Sequence, residues 1–479
     1  MNAFNKPHVL AYATVAVQEM NLFTFFPHVY WQCAVLSINA SANEDDVAAK
    51  TTNYGKMAKA LGDMQSQGVR IALPDINRAQ FGFSPDAETN QIIFGLKAIS
   101  GIGDDDAAQI IANRPYTSFE DFVTKNSNFG VSTIVSLIKA GAFDVLDARP
   151  RDVLMWAYLL LRATIEHPAK DKLNMQNFKS IVSLDLIPPQ FDFAKRLTLF
   201  RSYTFAKPFM VDKGRYRCDL SARLFFENTL YKFFKEGDDF EYDGDNLILL
   251  QKPFEKFYKN AIKEMSEWIS DPASGLLAEY NKAVITQAAE DNWDKYCTGT
   301  MSSWEMDSLS FYYTRHELAN VSNARYNIAS FSSIPETPVV IGSNTRKVKD
   351  RITGAVKETT WDKYALYRIA GTVLDKNKNK HSITLLTTDG VVTVKFYAEA
   401  FAFYDRQISK FDADANKKTV LEKSWFARGN KLLITGIRRG DAFFPKKYND
   451  SIYQHTVCLI TNIDSYSGTL ELQLERIQQ

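Results

Sequence analysis

The stretch Phe94-Gly95-Leu96-Lys97-Ala98-Ile99-Ser100-Gly101-Ile102-Gly103 decides the fold of the region around it. It predicts a short apolar helix, a hairpin bracketed by two glycines, and a second helix that begins at Asp104. Two glycines around one apolar residue permit positive φ and leave backbone N–H groups uncovered. Beside a helix N-terminus, such a backbone can bind a phosphate without side-chain charge. The pattern is typical of a helix-hairpin-helix that contacts the DNA backbone, and an ordinary glycine turn is the alternative.

The flanks of the hairpin favour the first interpretation. Leu73-Pro74-Asp75-Ile76-Asn77 precedes it, and Ser118-Phe119-Glu120-Asp121-Phe122 and Leu137-Ile138-Lys139-Ala140-Gly141-Ala142-Phe143-Asp144 follow it. In this order, residues 73–144 resemble the helix-hairpin-helix region of the bacterial DNA polymerase III alpha subunit, a C-family replicative polymerase. The resemblance implies a duplex-binding region. The residues expected to contact DNA are Lys97, Gly101, Ile102 and Gly103.

Size and composition exclude several classes of protein. The 479 residues suffice for three or four domains, and the net charge of +1 excludes a uniformly basic nucleic-acid coat. The four cysteines are far apart in sequence and show no C-x-x-C spacing, which fits reduced thiols; they are Cys33, Cys218, Cys297 and Cys458. The N-terminus has no signal-peptide core, and the apolar run 153–161 is too short to span a bilayer. We therefore expect a cytoplasmic protein without a membrane partner, in a bacterial host cell if a phage encodes it.

The first residues, Phe4 to Ala13, predict a helix with Pro7 in its first turn. His8 and Tyr12 share one face of it, because they are four residues apart. A helix cap followed by a core tyrosine would explain this spacing as well. The segment also resembles the Phe-Asn-Lys-x-His-x-x-x-Tyr signature of the family's fingers domain. That resemblance implies that Lys6, His8 and Tyr12 bind the incoming nucleotide.

The palm aspartates that hold two metal ions in the family would precede this helix, and only three residues do. The acidic groups downstream do not replace them: 104–106 fits the start of a helix, and 236–245 lacks the spacing of a calcium loop. We therefore predict no catalytic residue and no metal ligand in this chain. A partner chain would supply the palm carboxylates and bind Mg²⁺. An upstream catalytic region that is not included in this chain is the alternative.

The middle of the chain is the hardest part to interpret. Apolar spacing predicts helices over 151–166 and 253–270. Cations alternate with aromatic residues over 201–207 and 213–217, which suits phosphate contact and base stacking, or equally a solvated strand face.

Two short segments of this middle region resemble family elements. Arg196-Leu197-Thr198-Leu199-Phe200 resembles a peptide that docks into a sliding clamp, so Leu197, Leu199 and Phe200 are possible clamp anchors; a buried strand is the alternative. Phe311 to Leu318 resembles a segment that precedes the family's C-terminal module. His316 within it has no cysteine or histidine companion, which indicates a structural role.

The C-terminal part predicts a β-barrel. Three strands (364–373, 382–387 and 390–397), a helix (399–408) and further strands from 431 onward follow the order of an OB-fold. The segment 390–397 also resembles the family's own OB module. Residues 346–380 carry ten Lys or Arg against four Asp or Glu, which suits a single-strand path, although loop lysines are often only solvated. The expected contacts are Lys376, Lys378, Lys380, Arg438 and Arg439.

Together these predictions describe a multidomain α+β protein. Its regions are the end of the polymerase fingers (1–72), a helix-hairpin-helix region (73–150), a mixed middle domain (151–335) and an OB-fold-like domain (336–479). The expected function is that of the C-terminal subunit of a split C-family DNA polymerase, inactive alone. Its expected partners are primer–template duplex, single-stranded template, deoxynucleotides, a palm-bearing chain and a sliding clamp. A non-catalytic DNA-binding scaffold or processivity factor is the alternative function.

Overall fold

A computed structural model describes residues 6–40, 54–66, 68–349, 356–412, 417–464 and 466–477. The chain divides into two compact units. The first unit combines residues 1–155 with 296–479, and the inserted unit consists of residues 156–295. Both contain helices and strands, so the predicted multidomain α+β class is confirmed.

The helices lie mostly before residue 310. In chain order they are α1 (Lys6–Phe25), α2 (His28–Ala40), α3 (Tyr54–Ser66), α4 (Asp104–Ala112), α5 (Phe119–Lys125), α6 (Val131–Lys139), α7 (Arg151–Glu166), α8 (Phe178–Ser183), α9 (Asp192–Thr204), α10 (Leu220–Phe225), α11 (Gln251–Ala261), α12 (Lys263–Ser270), α13 (Leu276–Tyr296), α14 (Met301–Leu309), α15 (Asn323–Tyr326) and α16 (Ala398–Asp405).

The longer strands lie in the C-terminal part. In chain order the strands are β1 (Arg70–Ala72), β2 (Ser84–Asp86), β3 (Gln91–Ile93), β4 (Met210–Asp212), β5 (Arg215–Arg217), β6 (Phe240–Asp243), β7 (Asn246–Leu250), β8 (Val340–Lys349), β9 (Val356–Tyr364), β10 (Tyr367–Asn377), β11 (Ser382–Thr387), β12 (Gly390–Lys395), β13 (Ile408–Asp412), β14 (Lys417–Glu422), β15 (Lys431–Arg439), β16 (Ala442–Pro445), β17 (Val457–Ile463) and β18 (Leu470–Gln473).

The hairpin region is a small sheet, β1-β3-β2, followed by α4, α5 and α6. The helix α4 begins at Asp104, as predicted. The predicted apolar helix before the hairpin is wrong, because Leu96–Ala98 forms only one 3₁₀ turn between the extended residues Gly95 and Ile99. A Cβ atom on Gly95 would lie 2.4 Å from the backbone of Gly82, so this close approach requires glycine.

An aromatic core and a helix cap hold the following helices in place. The ring centroids of Phe119 and Phe122 each lie 4.9 Å from that of Phe143. The hydroxyl of Ser118 accepts a hydrogen bond from the Asp121 N–H at 3.0 Å and thereby caps α5. These contacts fix the hairpin region as a small packed body.

The predicted OB-fold is confirmed. The strands pair in the order β10-β11-β12-β16-β15, and β15 returns to β10, which closes a five-stranded barrel. Among these five described strands only β12 and β16 pair in parallel, and α16 lies between β12 and β15 in the chain. Buried residues fill the barrel, among them Val373, Leu385, Val394, Leu432 and Phe443. The ribbon β8–β9 precedes the barrel, and β17 and β18 extend it beyond β15.

The inserted unit has its own core. Its sheet has the order β4-β5-β7-β6, and its helices bury Leu197, Phe226 and Phe254 together with Phe240 of β6 and Leu247 of β7. The helix predicted over 151–166 is observed with these bounds. The segment 253–270 forms two helices instead of one, because the chain turns at Ile262 between α11 and α12.

Candidate nucleic-acid interface

The glycine hairpin has the predicted backbone at Gly101, whose φ is +88°. Two of its N–H groups, however, have acceptors within the chain. The Ile102 N–H donates to the Ile99 carbonyl at 3.1 Å, and the Gly103 N–H donates to the Asp106 carboxylate at 3.3 Å. The expectation that the hairpin leaves them uncovered is therefore wrong for these two. The first N–H groups of a helix have no acceptor within it, so those of the first turn of α4 are the remaining candidate donors to a phosphate.

Side-chain charge at the hairpin is mostly negative. Asp104, Asp105 and Asp106 form the first turn of α4, where they stabilise the helix dipole. The Lys97 ammonium lies 2.6 Å from the Asp104 carboxylate, so part of its charge is neutralised. The side chain of Ile102 is buried, which leaves only its backbone for a ligand. DNA contact by these residues stays a prediction.

The hairpin is attached to the C-terminal barrel. The Ser100 N–H donates to the Ser308 carbonyl at 2.8 Å. The guanidinium of Arg428 donates to the Ser100 hydroxyl at 2.9 Å and to the Ser310 hydroxyl at 2.6 Å. Its Cζ atom also lies 4.6 Å from the centroid of the Tyr54 ring on α3. A single side chain from the barrel thus contacts three other parts of the first unit.

The predicted nucleotide-binding residues Lys6, His8 and Tyr12 all lie on α1 and are exposed. The rings of His8 and Tyr12 meet edge to face with centroids 4.8 Å apart, so the two share a face as predicted. Tyr12 is 64% exposed, which excludes the alternative of a core tyrosine within this structure.

The helix α1 as a whole is apolar and buries none of its residues. Leu10, Met20 and Phe25 are each at least two-thirds exposed. Because apolar residues lie all around the helix, no side of it is suited to water.

The five residues predicted to contact a single strand differ in burial and in their partners. The ammonium groups of Lys376 and Lys378 both lie near the Asp405 carboxylate, at 2.5 and 3.9 Å, whereas Lys380 is exposed in the β10–β11 loop. The prediction for Arg438 is wrong. Its guanidinium is buried, donates to the carbonyls of Phe331 and Ile334, and pairs with Glu336. It fastens the chain before the barrel and is not available to DNA.

Arg439 is exposed, as a DNA contact requires, and it belongs to a surface whose other residues were not predicted from the sequence. Its guanidinium lies 5.9 Å from the ring centroid of Tyr364 and 5.8 Å from that of Phe444. The ammonium of Lys446 lies 5.6 Å from the rings of both Tyr364 and Tyr448. Cations beside half-buried rings suit phosphate attraction and base stacking. Tyr364 is far from the others in sequence, and the run Lys446-Lys447-Tyr448 is the one signal that could have indicated this surface.

The clamp prediction is contradicted. Residues 196–200 form part of α9. Of the three predicted anchors, Leu197 and Phe200 are buried in the core of the inserted unit and Leu199 alone is exposed. An anchor that already fills its own core cannot also fill a pocket of a partner. The alternative of a buried strand is wrong as well, because the segment is helical.

His316 has the structural role predicted for it. Its Nε2 lies 2.9 Å from the Leu386 carbonyl of the barrel, and its Nδ1 accepts a hydrogen bond from the Leu318 N–H at 3.0 Å. Since Nδ1 accepts, the proton of the neutral ring lies on Nε2. Burial lowers the pKa of His316 below its ordinary value. The neutral ring thereby joins the segment before the barrel to β11.

Within the described part of the chain, no three His, Cys, Asp or Glu side chains come together as a metal site. The acidic run 236–245 forms a turn, the strand β6 and the turn that leads into β7. No described helix combines the length and the apolar character needed to cross a membrane.

Comparisons with known proteins match the chain to DNA polymerases. A family model described as a helix-hairpin-helix motif matches residues 68–153. The chain is 37% identical over 489 aligned residues to the DNA-directed DNA polymerase of Bacillus phage SPbeta and to the "Probable DNA polymerase YorL" of Bacillus subtilis strain 168; the alignment covers 99% of this chain and 35% of each relative. It is also 35% identical over 150 residues to the DNA polymerase III subunit alpha of Saccharopolyspora erythraea. That alignment covers 30% of this chain and 11% of the relative. The resemblance predicted from the sequence is confirmed, and the chain spans about a third of the length of the first two relatives.

Proposed function

We propose that this chain is the C-terminal subunit of a split C-family DNA polymerase and that a partner chain supplies the palm carboxylates and the Mg²⁺ that they hold. The complex would transfer nucleotides to a primer under the direction of a template, with release of pyrophosphate. Similarity to DNA polymerases over nearly the whole chain supports the polymerase activity in this proposal.

The single observation that carries the proposal is the exposure of α1. A helix of 20 residues with apolar side chains on every side, none of them buried, would not remain uncovered in water. The same helix presents Lys6, His8 and Tyr12. The proposal assigns α1 to the boundary with the palm-bearing partner, where these three side chains would reach the triphosphate and the sugar or base of the incoming nucleotide. Phosphoryl transfer requires such positioning and charge neutralisation more than covalent chemistry.

Primer extension by this chain and a palm-bearing partner that copurifies with it tests the proposal. His8→Ala and Tyr12→Ala should each lower kcat/KM for the nucleotide by about tenfold or more, because they misplace the reacting phosphate. Thr14→Ala is the matched control. Thr14 is exposed on the same helix, and the hydrogen bond described for its hydroxyl goes to the Leu10 carbonyl one turn earlier, at 2.9 Å.

Two results would contradict this assignment. Unchanged extension with both variants would favour the alternative, a non-catalytic scaffold or processivity factor derived from such a polymerase. Failure of any palm-bearing chain to associate with this chain would contradict the split enzyme itself.

DNA binding belongs to the same proposal. The hairpin would contact a duplex through backbone N–H groups, and the barrel would contact a single strand through Lys380 and Arg439. Backbone contacts carry no sequence information, so the affinity should not depend on base sequence. A loss of affinity that is confined to certain sequences in hairpin variants would contradict this part.

A further inference from the structure

The loop that carries Arg428 is a rigid part of the barrel. Trp425 and Phe426 are buried in the barrel core on one side of it. On the other side, the Gly429 N–H donates to the Val373 carbonyl at 2.9 Å, and the Val373 N–H donates to the Asn430 carbonyl at 2.8 Å. The backbone of Arg428 is therefore fixed to β10, and its side chain projects from a fixed point.

The guanidinium of Arg428 binds two serine hydroxyls that belong to different segments. Ser100 lies directly before Gly101 of the hairpin, and Ser310 is the buried residue that ends α14 in the left-handed conformation. The Ser100 N–H is bound to Ser308 of the same helix. The hairpin, the end of α14 and the barrel thus meet at one planar group with fixed donor directions.

The largely buried guanidinium of Arg428 has no carboxylate among its described hydrogen-bond partners, which is unusual for an arginine. Asp307 and Asp375 act on it only through space, whereas its described hydrogen bonds go to neutral hydroxyls. Desolvation lowers the pKa of Arg428 from its ordinary value and raises that of Asp307. Burying a charge without a directly bonded counter-charge costs free energy, so this arrangement contributes less to folding stability than a buried ion pair or an apolar contact would. What the arrangement fixes is the distance between the two serines, because both hydroxyls bind donors of one rigid plane.

We propose that Arg428 is a positioning residue that holds the hairpin at a fixed distance from the barrel, so that the two bind a junction between duplex and single-stranded DNA as one bivalent surface. This inference rests on the proposed DNA-binding function. When two modules are fixed at the spacing of their ligand, the second contact forms without a new loss of freedom. The junction should therefore bind more tightly than either a duplex or a single strand alone.

The test uses the full chain and three fluorescein-labelled DNAs: a duplex, a single strand, and a primer–template junction that combines them. Arg428→Lys retains the charge but loses the planar fork, and Ser100→Ala removes the hairpin's acceptor. Each variant should weaken binding of the junction by about tenfold and leave the other two DNAs within about twofold of the unaltered chain. Arg406→Lys is the matched control, because Arg406 is exposed on the barrel and contacts only the Phe403 ring among its described partners.

A second measurement requires no DNA. Spin labels at Asp105→Cys on α4 and Lys380→Cys in the β10–β11 loop would report the distance from the hairpin region to the barrel. Both positions are exposed, and the four native cysteines are buried. The distribution of distances should be narrow in the unaltered background and broader with Ser100→Ala or Arg428→Lys.

The outcomes separate the inference from the function on which it rests. Binding of duplex and single strand without an advantage for the junction would overturn the inference alone, and so would equal losses on all three DNAs or an unchanged distance distribution. If the unaltered chain bound none of the three DNAs, the proposed DNA binding would be wrong, and this inference with it.

Discussion

Glu305 provides the sharpest test of how the first unit is held together. Its side chain is completely buried. It accepts hydrogen bonds from the N–H groups of Tyr313 and Thr314, both at 2.9 Å, and lies 3.2 Å from the guanidinium of Arg151. Arg151 also binds the Asp144 carboxylate at the end of the hairpin region. One carboxylate thus connects α14 with α7 and with the segment before the barrel.

The expected cost of Glu305→Ala follows from these contacts. Removal of one partner from a buried ion pair costs about 3–5 kcal/mol, because the other charge remains buried. Arg151 keeps Asp144, which reduces this term, but the variant also leaves two backbone donors without an acceptor, at about 1–3 kcal/mol each. Water that enters the new cavity recovers part of the loss. We therefore expect a loss of about 4 kcal/mol in the free energy of opening.

Amide hydrogen exchange measures this loss where it arises. The inserted unit has a separate core, so a global unfolding curve would mix two transitions. Exchange at Tyr313 and Thr314 should accelerate by about a thousandfold in the Glu305→Ala variant, which corresponds to about 4 kcal/mol. The control is Glu120→Ala, which removes a mostly exposed partner of Arg149 and should change stability by less than about 1 kcal/mol. A change below about 1 kcal/mol for Glu305→Ala would refute the view that this carboxylate joins the three segments.

Three further predictions concern residues whose roles the structure changed or clarified. Arg438→Ala should destabilise the barrel by about 2–3 kcal/mol, measured by amide hydrogen exchange in its strands, since it leaves buried carbonyls unpaired. Arg439→Ala should weaken single-strand binding without this cost, and the reverse pattern would contradict the assignment of the two residues. Leu197→Ala should destabilise the inserted unit by about 2–5 kcal/mol and the exposed Leu199→Ala by less than about 1 kcal/mol, and equal effects would mean that α9 is not packed as described. Because burial lowers the pKa of His316, the unfolded chain binds its proton more readily; stability should be complete above the ordinary histidine pKa, near about 6.5, and should fall as the pH decreases through it. A His316→Gln variant should lose this slope in urea titrations between about pH 5 and 8, and an unchanged slope would assign it to other groups.

The sequence predicted the barrel well and the inserted unit poorly, for physical reasons. Strands β11 and β15 have the predicted bounds, because alternation and turn glycines are local signals. The role of Arg438 could not be predicted in this way. Its partners at residues 331, 334 and 336 are about a hundred positions away, and nothing near Arg438 in sequence indicates that a hydrogen-bonded site surrounds it. The clamp prediction for residues 196–200 was wrong for the opposite reason, because a match of five residues carries no information about the core that α9 enters.

The candidate interface shows the same division. The turn at Gly101 and the start of α4 follow from local sequence, and both were predicted. The hydrogen bond from the Gly103 N–H to the Asp106 carboxylate was not predicted, although an acidic residue three positions after a helix cap is the known signal for such a bond. Contacts that join distant segments, such as that of Arg428 with Ser100, leave no trace in local patterns.

The acidic first turn of α4 bears on how the hairpin can act. Three carboxylates repel a phosphate, and the nearest cation is engaged by one of them. Phosphate contact there must therefore rely on the helix dipole and a few N–H groups, which contribute less than about 2 kcal/mol even in favourable geometry. A contact this weak is useful only if its position is fixed in advance, because any freedom of the hairpin would cancel the gain. The hydrogen bond from Arg428 to the Ser100 hydroxyl and the one from the Ser100 N–H to the Ser308 carbonyl supply that fixation, so the rigidity of the hairpin matters more to the proposed DNA contact than its charge does.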